Sequence, residues 1–217
     1  MLPLDFATLV QQCAPQVSPV TMAAIVRTES GFNPYAIGIV RSRLVRQPVS
    51  EAEAVVTAHA LVATGWNFSV GLAQVNRANW GAYGLTEQSA FDPCRNLAAG
   101  AAILQGCYTA ARDAQTEVRS DPQAALRASL SCYASGNFST GYRTGYVQRV
   151  VDNTRLPAPP SSHAVVPAIE PIQVVPVDAA VPSNPLRSRL VGHPVSKLRD
   201  TSPGKDVGEP GRSAVVF

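Results

Sequence analysis

The stretch Ser18 to Pro34, SPVTMAAIVRTESGFNP, constrains this chain more than any other. Ser18 followed by Pro19 marks a helix start: a serine hydroxyl can cap a free N–H group, and proline is tolerated where no intrahelical donor is needed. From Val20 to Val26 nearly every residue is apolar or small, which predicts a helix with no solvent face, central to whatever folds around it. Glu29 falls in the last turn, just before Gly31, the residue type that adopts the left-handed helix stop at least cost. A carboxyl held there meets apolar surroundings and the negative end of the helix dipole, and both raise its pKa. A general acid working near neutral pH needs that condition. The plainer alternative is a helix-end glutamate in solvent, or one paired with Arg27 or another arginine.

Composition divides the chain. The last 61 of its 217 residues hold 11 of the 18 prolines and one aromatic, Phe217, too little apolar mass for a core. The expected organisation is therefore a folded domain over residues 1–156 and a proline-rich tail, disordered or extended, over 157–217. The net charge of +3 splits into 12 basic against 10 acidic residues up to Leu156 and 6 against 5 beyond it, which makes no case for nucleic acid as a partner. No apolar run reaches the ~20 residues of a membrane span. The N-terminal MLPLDFATLVQQCAP lacks a basic region and carries Asp5, so it does not read as a secretory signal.

Cys13, Cys94, Cys107 and Cys132 all lie in the first domain. An even number suits two disulfides in an oxidising compartment; four buried thiols are the alternative, and the spacings match no metal site. One pairing is excluded by length. Asp92-Pro93 opens a predicted helix that carries both Cys94 and Cys107, and thirteen residues of helix span roughly 20 Å, against a Cα limit of about 7 Å for a disulfide. Two connectivities stay open: Cys13 with Cys107 and Cys94 with Cys132, or Cys13 with Cys94 and Cys107 with Cys132.

Other elements follow in order. Leu4 to Ala14 reads as a short amphipathic helix closed by Pro15. AIGIVRSRLVRQPV mixes β-branched residues with three arginines and predicts a hairpin or extended excursion, whose charges guard an edge strand or hold an anionic ligand. Ser50 and Glu53 form a capping box for a helix running to Thr64 and ended by Gly65. In GWNFSVGLAQVNRANW, Trp66, Trp80, Gln74, Asn76 and Asn79 combine flat apolar faces with amides, as a saccharide cleft does and as an ordinary core also can. Asp121-Pro122 opens another helix, which carries Tyr133 and brings Asn137 four residues on, along one face or across its end near Gly136. A last helix is expected from Tyr142 to Asp152. His59, His163 and His193 make no metal cluster, so no cofactor is implied. RSRLVGHPVS at Arg187 to Ser196 repeats RSRLVRQPVS at Arg41 to Ser50 at eight of ten positions. The two copies are either an accident of duplication or rivals for one strand-binding partner.

The ordered blocks ESGFNP (Glu29 to Pro34), GLAQVN (Gly71 to Asn76), FDPCRNLAAGAAIL (Phe91 to Leu104) and LSCYASGNF (Leu130 to Phe138) resemble the lytic transglycosylases with a goose-lysozyme-like catalytic domain. More narrowly, AIGIV, RLVRQPVS, GWNFSVGLAQVN and the cysteine positions resemble the VirB-type peptidoglycan-cleaving component of type IV secretion systems. The resemblance covers essentially residues 1–156. It implies a mainly helical, α+β lysozyme-like fold, a periplasmic location, and local opening of the peptidoglycan mesh for a trans-envelope machine. It also implies that Glu29 is the sole catalytic acid and base, that Gln74 contacts the substrate's N-acetyl group with Asn76 beside it, and that Tyr133 hydrogen-bonds near Glu29 and orients it. Many relatives have tyrosine-asparagine in the last block. Here Ala134 follows Tyr133, so the asparagine's contribution falls to Asn137, to another group, or is absent.

The implied reaction cleaves the β-1,4 bond between N-acetylmuramic acid and N-acetylglucosamine and leaves a 1,6-anhydro ring without consuming water. Two other expectations stand beside it. One is a hydrolytic lysozyme using Glu51 or Glu53 as a second carboxylate, since Asp92 is better explained as a helix cap. The other is a murein-binding assembly factor whose tail recruits secretion-system subunits.

Overall fold

In the computed structural model, residues 5–114, 120–156 and 172–176 are described. The remaining tail, with His163, His193 and the second decapeptide, lies outside them. The helices are α1 (Phe6–Cys13), α2 (Pro19–Ser30), α3 (Glu51–Ala63), α4 (Pro93–Ala114), α5 (Pro122–Ser135), α6 (Thr140–Arg143) and α7 (Tyr146–Asn153). The strands are β1 (Ile37–Ile39), β2 (Ser42–Leu44), β3 (Phe68–Val70), β4 (Val75–Asn76) and β5 (Val174–Pro176). They form one antiparallel sheet in the order β4-β3-β1-β2-β5. This is the mainly helical α+β, lysozyme-like class expected. Among the described residues, no helix is long and apolar enough to cross a membrane and no cluster of ligands suits a metal.

Two apolar clusters share the interior. One joins α1, α2, α4, α5 and α7 through Val10, Ile25, Val26, Leu97, Leu104, Leu130 and Val150. The other packs the inner face of the sheet, Ile37, Ile39, Phe68, Val70 and Val75, against Ala54, Ala58 and Leu61 of α3. Ile103 of α4 touches both. Helix α2 is buried through Met22, Ala24, Ile25 and Val26, whereas Val20 in its first turn is 57% exposed, so the helix does have a solvent-facing start. Ser18 sits at its N-cap without a side-chain hydrogen bond; its carbonyl accepts from Met22 N at 2.9 Å. The predicted caps Asp92 and Asp121 use their side chains, and so does Asp5, which was not foreseen as one. Asp5 accepts from Thr8 N, Asp92 from Arg95 N and Asp121 from Gln123 N, each at 2.8 Å.

The disulfides are Cys13–Cys94, with Cα atoms 5.1 Å apart, and Cys107–Cys132, at 5.8 Å. The first ties the end of α1 to the start of α4, and the second ties α4 to α5. Arg41, at φ +58°, makes the turn of the β1–β2 hairpin. At the start of α3, Ser50 accepts from Glu53 N at 3.3 Å, but the Glu53 carboxylate reaches Val49 N at 2.8 Å instead of the capping residue's own N–H. Arg46 closes that corner through two guanidinium hydrogen bonds to the fully buried Glu53 carboxylate. The expected last helix is two: α6 ends at Arg143, Gly145 takes φ +72°, and α7 starts at Tyr146. Within the stretch assigned to the tail, residues 174–176 form β5, and Ile172 and Val174 pack on the sheet-side core.

Candidate active site

The site is built where the end of α2 meets the loop from Gly71 to Gln74. Gly31 stops α2 in the left-handed conformation (φ +59°), its N–H donating to Arg27 O at 3.3 Å, so the chain turns away directly after Glu29 and Ser30. The Ser30 hydroxyl donates to Leu72 O at 2.8 Å and fixes the loop against the helix end. The loop is pinned from beneath by Asn96 at the start of α4. Its Oδ1 accepts from Ala73 N at 2.7 Å, and its Nδ2 donates to Val70 O and Ala90 O, both at 2.9 Å. Only glycine fits at Gly71, because a Cβ there would lie 2.3 Å from Asn96 Nδ2. Tyr133, buried in α5, donates to Ala73 O at 2.5 Å, so α5 holds the same loop.

Glu29 is half-buried as a residue, but its carboxyl is crowded by protein. Desolvation raises its pKa to about 7; the hydrogen bond from Tyr146 and the positive charge of Arg149 oppose the rise without cancelling it. The Tyr146 hydroxyl donates to Glu29 Oε1 at 2.5 Å. Burial and the neighbouring Glu29 charge push the phenols of Tyr133 and Tyr146 well above their ordinary pKa, so both remain protonated donors at neutral pH. Arg149 is set by a bond from Nη1 to Thr144 O at 2.9 Å, beside the Tyr146 ring. Arg27 lies over the Phe32 ring at 5.1 Å.

Gln74, with φ +47° and 6% exposure, donates from Nε2 to Ala36 O and Gly71 O, both at 3.1 Å. Its Oε1 faces Gly38, where a Cβ would come within 2.6 Å, and accepts no hydrogen bond from a described residue. Asn76 is buried with its amide engaged: Nδ2 donates to Asn67 Oδ1 at 2.8 Å and Ser69 Oγ at 3.2 Å, and Oδ1 accepts from Ala78 N at 3.0 Å. Asn137 lies beyond the end of α5 and caps the next turn, its Oδ1 accepting from Thr140 N at 2.8 Å. Of the two readings of the aromatic stretch, cleft wall and core, Trp80 falls to the core. It is 6% exposed, stacks edge-on against Phe68 and donates to Val75 O, while Trp66 is partly buried and packs against the same cluster.

Tyr146 went unrecognised in the sequence. Its only local signal is Gly145 before it, which breaks what reads as one helix and re-aims the ring. Glu53, one of the two carboxylates considered for hydrolysis, is tied to Arg46 and Val49 N, and these hold its pKa below the usual range.

The profile of the transglycosylase SLT domain matches residues 7–153. The type IV secretion system protein virB1 of Brucella suis biovar 1 is 50% identical over 205 residues, covering 92% of this chain and 83% of that protein. Protein virB1 of Agrobacterium fabrum is 32% identical over 161 residues (73% of this chain, 64% of that one), and protein virB1 of Rhizobium radiobacter is 37% identical over 148 (67% and 59%). No solved structure matches. With the profile spanning almost the whole helical body and relatives this similar along most of its length, the chain belongs to the transglycosylase SLT family and, within it, to the VirB-type lytic transglycosylases.

Proposed function

We propose that this protein is a periplasmic peptidoglycan lytic transglycosylase that opens the cell wall locally for assembly of a type IV secretion system, with Glu29 as its single acid and base. The observation that carries this is the state of Glu29: a carboxyl at the end of an apolar helix, raised to about 7 by desolvation and oriented by the Tyr146 hydroxyl. Protonated, it donates to the oxygen of the β-1,4 bond between N-acetylmuramic acid and N-acetylglucosamine. Positive charge then develops on the sugar ring, and the substrate's own acetamido carbonyl takes the place of the second carboxylate that a retaining glycosidase needs about 5 Å away. The ionised Glu29 next removes the proton of the muramic acid 6-hydroxyl, which attacks within the same sugar and closes the 1,6-anhydro ring. Glu29 is thereby reprotonated.

Gln74 has both amide protons committed to backbone, so its Oε1 is the atom left to accept the N–H of an acetamido group. The ion pair of Glu53 with Arg46 speaks against its use as a second carboxylate for hydrolysis. The disulfides suit an oxidising compartment. Mass spectrometry of products from purified sacculi tests the proposal. Anhydromuramoyl ends that disappear with Glu29→Gln are expected, whereas reducing ends would turn the assignment to hydrolysis.

A further inference from the structure

Strand β5 sits on the outer edge of β2 in the register Ser42↔Pro176, Arg43↔Val175, Leu44↔Val174, and Val45 N donates to Gln173 O at 2.8 Å. The strand it grips, Ser42 to Leu44, lies inside the decapeptide Arg41 to Ser50 that recurs at Arg187 to Ser196. The two copies differ at two positions only: Gly192 stands for Arg46 and His193 for Gln47. Both replaced residues anchor the first copy to its own domain. Arg46 binds the buried Glu53, and Gln47 mimics a strand neighbour, accepting from Ile37 N at 2.8 Å and donating to Ile37 O at 2.9 Å. The residues that face β5 are unchanged. The second copy has lost two side-chain bonds that anchor the first to the domain and kept what β5 pairs with.

We infer that the segment Arg187 to Ser196 is a built-in rival of β2 for β5. Ser188, Arg189 and Leu190 repeat Ser42, Arg43 and Leu44, the residues that pair with Pro176, Val175 and Val174, so the second copy offers β5 the same partner in the same order. Addition as a sixth strand outside β5 is disfavoured. Val45 and Gln173 form a hydrogen-bonded pair, so by alternation Pro176 turns its N outward, where proline has no proton to give. The docked form is the ground state, because Ile172 and Val174 pack on the core and Ile172 N donates to Thr57 Oγ1 at 3.3 Å. The rival lowers the cost of leaving it: a released β5 finds a second copy of its partner, and the edge of β2 is exposed to another protein's strand. This inference does not depend on the catalytic proposal.

Amide exchange in the full-length chain tests it, with Leu190→Pro as the variant, since that position lies outside the described fold and proline cannot join a ladder. If the rival captures β5 in most openings, Leu190→Pro slows exchange at Val45 by about threefold, with amides of α5 unaffected. Adding the free peptide RSRLVGHPVS restores the faster exchange, and a scrambled peptide does not. Equal exchange at Val45 in both proteins overturns the inference. So does faster exchange at β5 in the variant, which would place the second copy outside β5 as an added strand.

Discussion

Glu29 and Glu53 are two glutamates on successive helices whose environments drive them in opposite directions. Glu53 has no exposed surface, yet it lies in the first turn of α3 with the Arg46 guanidinium and Val49 N–H on its oxygens, and its pKa is lowered. Glu29 keeps some exposure, lies in the last turn of α2, and receives one phenol proton with only the more distant charge of Arg149 in its favour; its pKa rises to about 7. Burial sets the size of the stakes, and partners decide the sign. One carboxylate serves as a permanent charge that locks a corner, the other as a proton store.

The sharpest way to break this comparison is to neutralise each in turn. Glu29→Gln is expected to reduce release of anhydro-muropeptides by about 10³-fold, within the range for losing a general acid, while far-UV circular dichroism stays unchanged. Glu53→Gln should leave the activity of each folded molecule within a few-fold of the parent. A variant at Glu53 that is inactive though fully folded would remove the distinction between the two roles.

Arg46→Ala attacks the other member of the contrast. It leaves the Glu53 carboxylate without its cation, so a loss of stability at pH 7 is expected from urea unfolding. The sign with pH is fixed by the lowered pKa. The pair's contribution is present above the unfolded value near 4.5 and disappears as pH falls through the lower folded one, so parent and variant should converge in acid. A constant gap down to pH 3 would mean that Arg46 acts through packing alone.

Tyr146→Phe removes the hydrogen bond that partly offsets the desolvation of Glu29. A loss of about tenfold in turnover is expected from one charge-assisted hydrogen bond, and the high-pH limb of the activity profile should move to higher pH, because the carboxyl then holds its proton more tightly. A purely structural tyrosine would lower activity without moving that limb.

How much of this was legible in the chain depends on how local each signal is. Glu29, Gly31 and the caps at Asp92 and Asp121 are written in adjacent residues and appear where the pattern put them. The disulfide pairing was half legible: helix length excluded one arrangement, but choosing between the other two needed the packing of α1 on α4. Tyr146 was not legible, because its partner is 117 residues away and the break at Gly145 that aims it leaves the helical pattern of the sequence intact. Trp80 and Asn76 have side chains equally suited to a cleft and to a core, and only the sheet decides that both turn inward. Strand β5 was hidden by composition, since three residues that add to an existing edge need no core of their own.

The smallest expected effect is also the cleanest probe of the contrast, because it makes a catalytic loss a stability gain. Glu29 has a folded pKa of about 7, raised from 4.5, so its neutral form favours folding below pH 4.5 and that advantage is lost as pH rises through 7. Glutamine keeps the shape and an acceptor for the Tyr146 hydroxyl but carries no charge to desolvate. Glu29→Gln should therefore match the parent at pH 4.5 and exceed it at pH 8, by about 1 kcal/mol once solvent screening at this half-buried residue is allowed for, or roughly 3 °C in melting temperature. For Glu53→Gln the same pair of melts should run the other way, with the variant weaker at pH 8 and recovering in acid. If both variants shifted in the same direction, burial alone would govern the two sites, and the proton-storing role of Glu29 would lose its physical basis.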